Sequence, residues 1–257
     1  MDYENLLLEK SGFVTRITLN RPKAYNSFSA GLRKDILDVM TALNADDAIR
    51  VIILAGSGPG FSAGADLSET FPIPISGQID GEYKPAIEAI YASPKITISQ
   101  IHGKAAGIGA GFALATDLTV MAEDAGMYLA FAALGLVPDG GITWHLYRAL
   151  GRKQAAEIIF EGQTLSAQKC VDLGLANKVA PTDQLTEVTQ SWAEALAQAA
   201  PISVREVKHA LRQMDGVDLG DAISIEGKGQ DACQISNDHI RAIKAFQTKT
   251  KPVFEGN

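Results

Sequence analysis

The sequence predicts an α/β fold with a helical C-terminal part, and three observations point to it. Short β-branched runs alternate with helical stretches early in the chain. Glycine-rich bends follow two of the most apolar of those runs. Beyond residue 140 the pattern becomes mostly helical, and Pro201 marks the expected boundary between a core of residues 1–200 and a helical part of residues 201–257.

"NLLLEK" and "FVTRITLN" read as two strands joined at Ser11-Gly12, a hairpin signal. "SAGLRKDILDVMTALNADD" follows as a helix, with Ser29 as N-cap and Leu32, Ile36, Val39, Met40 and Leu43 along one face. "RVIILAG" and "KITISQI" are buried strands, since continuous apolar runs suit a sheet covered on both faces. Between them, "SETFPIPISGQIDGEY" has no periodicity and is expected to be a mobile loop. "HGKAAGIGAGFALATD" is a glycine-rich turn entering a small-residue helix, and "LTVMAED" returns as a strand. "GITWHLYRAL", "RKQAAEIIFEG" and "SAQKCVDLGL" read as helices, and "ANKVA" as a short strand. A helix over 183–199 carries Leu185, Val188, Trp192, Leu196 and Ala199. The next, opened by Pro201, is expected to turn Val204, Val207, Leu211 and Met214 inward, and a final helical pair covers 218–248.

Composition excludes several classes. At 257 residues the chain can bury a large core, and its net charge of −7 with no basic run argues against a nucleic-acid surface. An anionic ligand must be held locally rather than drawn in by bulk charge. Cys170 and Cys233 lack metal-ligand spacing, none of the four histidines is paired as in a zinc site, and free thiols in a reducing compartment are expected. The start "MDYENLLLEKSG" is acidic, unlike a signal peptide, and no apolar run is long enough to span a bilayer, so a cytoplasmic location with no membrane partner is expected.

Three glycine-rich readings compete. "GFSAG" matches G-x-S-x-G, yet a nucleophile elbow needs Ser62 directly between strand and helix, and "AGSGPG" intervenes after the strand. "GIGAG" would need a third glycine where Phe112 stands to act as a dinucleotide loop. The remaining reading pairs the two bends as sources of bare backbone N–H groups, the second at a helix start, able to hold one oxygen between them. Two tight turns needing small residues for packing are the plainer alternative.

Taken together, "LNRPKAYNSFS", "VIILAGSGPGFSAGADL", "KITISQIHGKAAGIGAGFALATDLTVMAED", "LGLVPDGGITWHLYRALGRKQAAEIIFEGQTLSAQKCVDLGLANKV" and "AFQTKTKPVFEG" resemble, in order, the motifs of the enoyl-CoA hydratase/isomerase (crotonase) superfamily. The resemblance implies a spiral of repeated ββα units with a C-terminal helical part that builds trimers or dimers of trimers. It implies acyl-CoA substrates and no resident cofactor, since coenzyme A arrives with the substrate. By position the oxyanion hole would be the N–H groups of Ala63 and Ile108. The CoA moiety would lie against Lys23, Ala24, Ala65, Asp66 and Leu67, with Lys249 reaching a phosphate on a neighbouring subunit.

One departure matters. The two glutamates of the hydratase pattern are replaced by Gly111 and Phe131, neither able to carry a proton. What remains is Asp139 in "GLVPDGGITW", an aspartate among apolar residues, as in family members that move double bonds or rearrange ring-derived acyl groups. One carboxylate opposite an oxyanion hole can take a proton from one carbon and return it two carbons away, which fits isomerisation better than hydration. The alternatives are an N-cap role for Asp139, a hydratase despite the missing glutamates, a non-catalytic CoA-thioester binder, and, for His145, a second acid/base.

Overall fold

The computed structural model describes residues 3–129 and 131–257. Its large sheet has six strands in the order β1 (Leu6–Ser11), β2 (Val14–Leu19), β3 (Val51–Gly56), β4 (Ile96–Ile101), β6 (Leu118–Ala122) and β9 (Lys178–Ala180). A smaller sheet orders β5 (Lys104–Ala106), β7 (Gly126–Tyr128) and β8 (Thr164–Ser166). β1 and β2 form the antiparallel hairpin expected at Ser11-Gly12, with Gly12 at φ +58°, and every later pairing in the large sheet is parallel. β3 is buried on both faces, as its unbroken "VIILA" requires.

β4 is followed by β5 in the small sheet and then by α4 (Ile108–Leu114); β6 is followed by β7 and then by α5 (Ile142–Glu161). This strand–strand–helix repeat is the ββα spiral expected from the resemblance. α1 (Ala30–Ala45) starts at Ser29, whose Oγ accepts from the Leu32 N–H at 3.3 Å, and it buries Leu32, Ile36, Val39 and Met40. α6 (Ala167–Asp172) follows β8, and α7 (Leu185–Leu196) lies across β3, β4 and β6. Gly151, at φ 72° and ψ 172°, breaks α5 into the two helices read from the sequence.

Two expectations change. "SETFPIPISGQIDGEY" is not wholly loop: α2 (Ser76–Gln78), a π-helical turn (Ile79–Tyr83) and α3 (Lys84–Tyr91) run on from one another. The proline-rich part conceals this, because a helix that begins after it shows too few residues for a period to register. In α8 (Pro201–Gln213), Val207 and Leu211 are 54% and 61% exposed rather than inward. The buried residue is Lys208, whose ammonium donates to the Lys95 carbonyl at 2.6 Å and to Asp117 at 2.5 Å. That clasp turns the apolar stripe of α8 away from the sheet. α9 (Leu219–Gln234) and α10 (Asn237–Thr248) complete the chain's helices.

Asn26 fixes the bend on which the first glycine-rich loop rests. It is wholly buried at φ 55°, a left-handed conformation that asparagine tolerates. Its Oδ1 accepts from the Arg21 N–H at 2.9 Å, and its Nδ2 donates to the carbonyls of Ser57 at 2.7 Å and Gly60 at 2.9 Å. Asn26→Ala strands three buried polar groups, so urea unfolding should show a loss of about 2–4 kcal/mol.

Candidate active site

β3 and β4 are adjacent and parallel, with Ala55 opposite Gln100, so the loops leaving their C-terminal ends are neighbours. The loops then bond to each other. Phe61 N–H donates to His102 O at 3.0 Å, Ser62 N–H to Lys104 O at 3.0 Å, and Ala106 N–H to Ser62 O at 2.8 Å. They meet at two glycines. A Cβ on Gly64, which has φ +100°, would lie 2.9 Å from the Ala106 carbonyl and 3.7 Å from the Gly107 Cα. Only glycine permits this approach.

The next N–H on each side of the contact is the candidate donor. Gly64 O accepts from the Phe28 N–H at 2.8 Å, and the trans peptide therefore points the Ala65 N–H the opposite way. Gly107 O accepts from the Ala110 N–H at 3.0 Å, which likewise turns the Ile108 N–H outward at the start of α4. Neither of these N–H groups has an acceptor among the described residues. Ala63, the donor expected from the sequence, is different: its N–H is spent on the Tyr25 carbonyl at 2.9 Å. The free N–H on this loop is thus that of Ala65, two residues on from the expected Ala63, and the Ile108 N–H is also free among the described residues.

Asp139 reaches this place through packing. A Cβ on Gly140 would lie 2.4 Å from Ile108 Cδ1, and one on Gly111 would lie 2.8 Å from the Gly140 carbonyl. The peptide after Asp139 therefore rests on the first turns of α4, against the Ile108 side chain and Gly111. Asp139 does not cap α5. The N-cap is Gly141, which has no side chain, and Asp139 Oδ1 is buried with no hydrogen-bond partner. Burial raises the carboxyl from 3.8 to about 6, opposed only by a backbone hydrogen bond from its own residue.

A cavity of about 340 Å³ opens at Gly140 and Gly141, lined also by Tyr83, Ile87, Trp144 and His145. Tyr91, Trp144 and His145 pack edge to face, with centroids 4.8 to 6.2 Å apart. Burial, with a smaller contribution from Arg148, lowers His145 to about 4, so near neutrality it is an uncharged wall of the cavity. Ser62 is 2% exposed, donates to the Asn26 carbonyl at 2.8 Å and accepts from the Gly64 N–H at 3.1 Å, which leaves no nucleophile there. Phe112, in place of a third glycine, stacks on Phe28 at 4.0 Å.

The residues expected around CoA are partly assembled. The turn Pro22–Ala24 is tied to Ala65–Leu67 by the Arg21–Asp66 ion pair at 2.8 Å and by bridging of Phe28 with Ala65. The Asp66 carboxylate is itself a buckle: hydrogen bonds from Ser68 and Arg21 hold it down at about 2. Lys23 and Leu67 are exposed beside it. Lys249 stands exposed at the left-handed end of α10, and no described contact joins it to the others.

The family profile described as enoyl-CoA hydratase/isomerase matches residues 9–257. The chain belongs to the enoyl-CoA hydratase/isomerase family. It is 32% identical to the 1,2-epoxyphenylacetyl-CoA isomerase of Escherichia coli K12 over 249 residues, 95% of each chain. It is also 29% identical to the 2,3-dehydroadipyl-CoA hydratase of the same strain, over 98% of each. Its fold is similar to that of a Bacillus anthracis enoyl-CoA hydratase crystal structure, with a TM-score of 0.94 at 30% identity, covering 99% of this chain and 100% of that one. The family processes acyl-CoA thioesters, and its spiral fold is the one described above.

Sequence reasoning gave the free N–H to Ala63 rather than Ala65, and it passed over Arg33 and Tyr83. The first was legible only in part: "SAGAD" offers several small residues, and hydrogen bonding alone separates them. Arg33, next to Leu32 on the buried face of α1, was the visible signal for a buried cation. Gly111→Glu, which puts a hydratase-type carboxylate back, should not confer hydration. Its Cβ would collide with the Gly140 carbonyl and push the Asp139 loop out of place. The expected result is loss of all acyl-CoA turnover, by at least about 100-fold, with no water addition to crotonyl-CoA gained.

Proposed function

We propose that this chain is an enoyl-CoA isomerase acting on an unsaturated or ring-derived acyl-CoA. The observation that carries the reading is the Asp139 carboxyl: its Oδ1 is buried with no partner, and the glycine that follows it packs against the Ile108 side chain at the start of α4. In this reading the N–H groups of Ala65 and Ile108 hold the thioester oxygen. As the α-proton leaves, negative charge grows on that oxygen, and fixed donors stabilise it without reorganising. Asp139, ionised above about pH 6, takes the proton and returns it two carbons along the acyl chain. A carboxyl tuned to about 6 can do both at neutral pH, whereas one at 3.8 would be too weak a base. One acid is enough for this shift, and no bound water is needed.

The pattern supports isomerisation over hydration because a second carboxylate has no room: Gly111 abuts Gly140, and Phe131 is apolar. Lys23, Ala24 and the Ala65–Leu67 turn hold the CoA portion, mainly through main chain, since the Asp66 carboxylate is committed to Arg21. Lys249 would serve a neighbouring copy in a trimer or a dimer of trimers, and the exposed Val207 and Leu211 give α8 an apolar face for such packing. The protein works in the cytoplasm and needs no resident cofactor, because coenzyme A comes with the substrate. Among the described residues no helix is long and apolar enough to cross a membrane.

Asp139→Asn should lower kcat on 3-enoyl-CoAs by at least about 1,000-fold with CoA binding unchanged. Equal turnover by wild type and variant overturns the assignment, and faster water addition to crotonyl-CoA than double-bond shift by wild type favours a hydratase. In wild type, log(kcat/KM) should fall with unit slope below a pH near 6, the value for Asp139. Stability carries the opposite signature. A carboxyl raised from 3.8 to about 6 is more protonated folded than unfolded, so its burial costs nothing at low pH and its full penalty above pH 6. Asp139→Asn should therefore stabilise the fold by about 3 kcal/mol at pH 8, a gain that shrinks as pH falls through 6 and is gone below pH 3.8 in urea titrations.

A further inference from the structure

Arg33 is the most completely buried cation among the described residues, with its side chain 1% exposed, and one of the groups it holds, Tyr83, lines the cavity at Gly140 and Gly141. Its Nη1 donates to Glu69 Oε2 at 3.0 Å, to the Phe28 carbonyl at 2.6 Å and to the Tyr83 hydroxyl at 3.1 Å. Its Nε and Nη2 both donate to Glu82 Oε2, at 2.8 and 2.6 Å. The guanidinium also lies 4.6 Å from the centre of the Tyr83 ring. Glu69 Oε1 accepts in addition from the Ala30 N–H, at 2.6 Å, at the start of α1.

Glu69 and Glu82 are the two ends of one segment. Between them, from Thr70 to Gly81, no side chain is buried, and Ile73 is 99% exposed. Apolar packing therefore does little to hold this stretch, and its ends are fixed by ion pairs converging on a single guanidinium. A planar fork with five donors can hold two carboxylates, a carbonyl and a phenol together, which a lysine could not. Immediately after Glu82 comes Tyr83, 4% exposed, which lines the cavity at Gly140 and Gly141 together with Ile79 and Lys84.

We propose that Arg33 is a positioning residue for acyl-group selection: it latches both ends of the 69–83 segment and so fixes the Tyr83 wall of the cavity beside Asp139. The proposal rests on the acyl-CoA isomerase reading above. With the latch shut, the cavity has a defined width against an aromatic far wall, Tyr91, Trp144 and His145. A bulky or ring-bearing acyl group gains from a preformed wall because it need not order the segment on binding. A short acyl group does not extend far enough to need the wall. The latch thus acts on discrimination between substrates rather than on the proton shift itself.

Both carboxylates keep some contact with solvent, at 24% and 44% exposure, but neutralising them leaves the buried Arg33 guanidinium with only neutral acceptors, so Tm is expected to fall and every readout is taken below the unfolding of the least stable variant. The test compares wild type, Arg33→Lys and the double variant Glu69→Gln/Glu82→Gln, each as the full chain. Limited digestion with endoproteinase Asp-N, at a temperature where circular dichroism shows every variant folded, should cut the double variant between Ile79 and the exposed Asp80 at least tenfold faster than wild type. For a 3-enoyl-CoA bearing a terminal phenyl ring against but-3-enoyl-CoA, the ratio of kcat/KM should fall at least fivefold. The fall should come through KM of the ring substrate, with kcat on the short substrate within twofold of wild type. Arg33→Lys should fall in between on both readouts. An unchanged digestion rate overturns the latch; an unchanged ratio, or equal losses on both substrates, overturns the role in selection. Were wild type to turn over neither substrate, the isomerase reading would fall and selection with it, while the digestion would still report on the latch.

Discussion

Taking one oxygen of the Asp139 carboxyl out of water, with no hydrogen-bond partner for it, is the constraint on which the site depends. Raising Asp139 from 3.8 to about 6 costs on the order of 2–3 kcal/mol of folding free energy at neutral pH. Had Asp139 capped α5, that cost would have disappeared, and its carboxyl would have been committed to the helix end. The fold avoids this by placing Gly141, a residue with no side chain, at the N-cap. The first N–H groups of α5 thus forgo a side-chain cap so that the acid stays uncommitted, the kind of local concession to function that tertiary packing must offset elsewhere.

Glycine does most of the offsetting, and at different contacts. Gly64 against the Ala106–Gly107 peptide brings the two loops to backbone contact, and Gly140 against Ile108 sets the acid on the same ground. Gly111 against the Gly140 carbonyl then makes the arrangement exclusive. The position that would carry a second carboxylate has been given up to let the Asp139 loop approach. Absence of that glutamate and presence of the aspartate are one packing decision, not two independent substitutions.

The wall opposite is held by electrostatics rather than by packing. A segment exposed from Thr70 to Gly77 and only half-buried at Gln78 and Ile79 has little apolar burial to order it, and Arg33 supplies a fixed point at both ends. The acid site and the acyl wall are therefore stabilised by different forces. One is rigid because close backbone contacts cannot be varied; the other can be changed by altering a few charges.

Much of the frame was legible in the chain itself. Period-two and 3.6-residue patterns located the strands, α1 with its Ser29 cap, and the break at Gly151, because those features depend on neighbours in sequence. Ordered motifs indicated the family, and the odd aspartate in "GLVPDGG" pointed to the acid. The sequence could not say which of several small residues keeps a free N–H, because that depends on where Tyr25 and Phe28 place their backbone groups. Nor could it show that Arg33 meets Glu69 and Glu82, 36 and 49 residues away, or that α8 buries Lys208 while leaving Val207 and Leu211 exposed. Local pattern settles what each element is; which polar groups are left without partners is decided only when distant segments compete for the same acceptors.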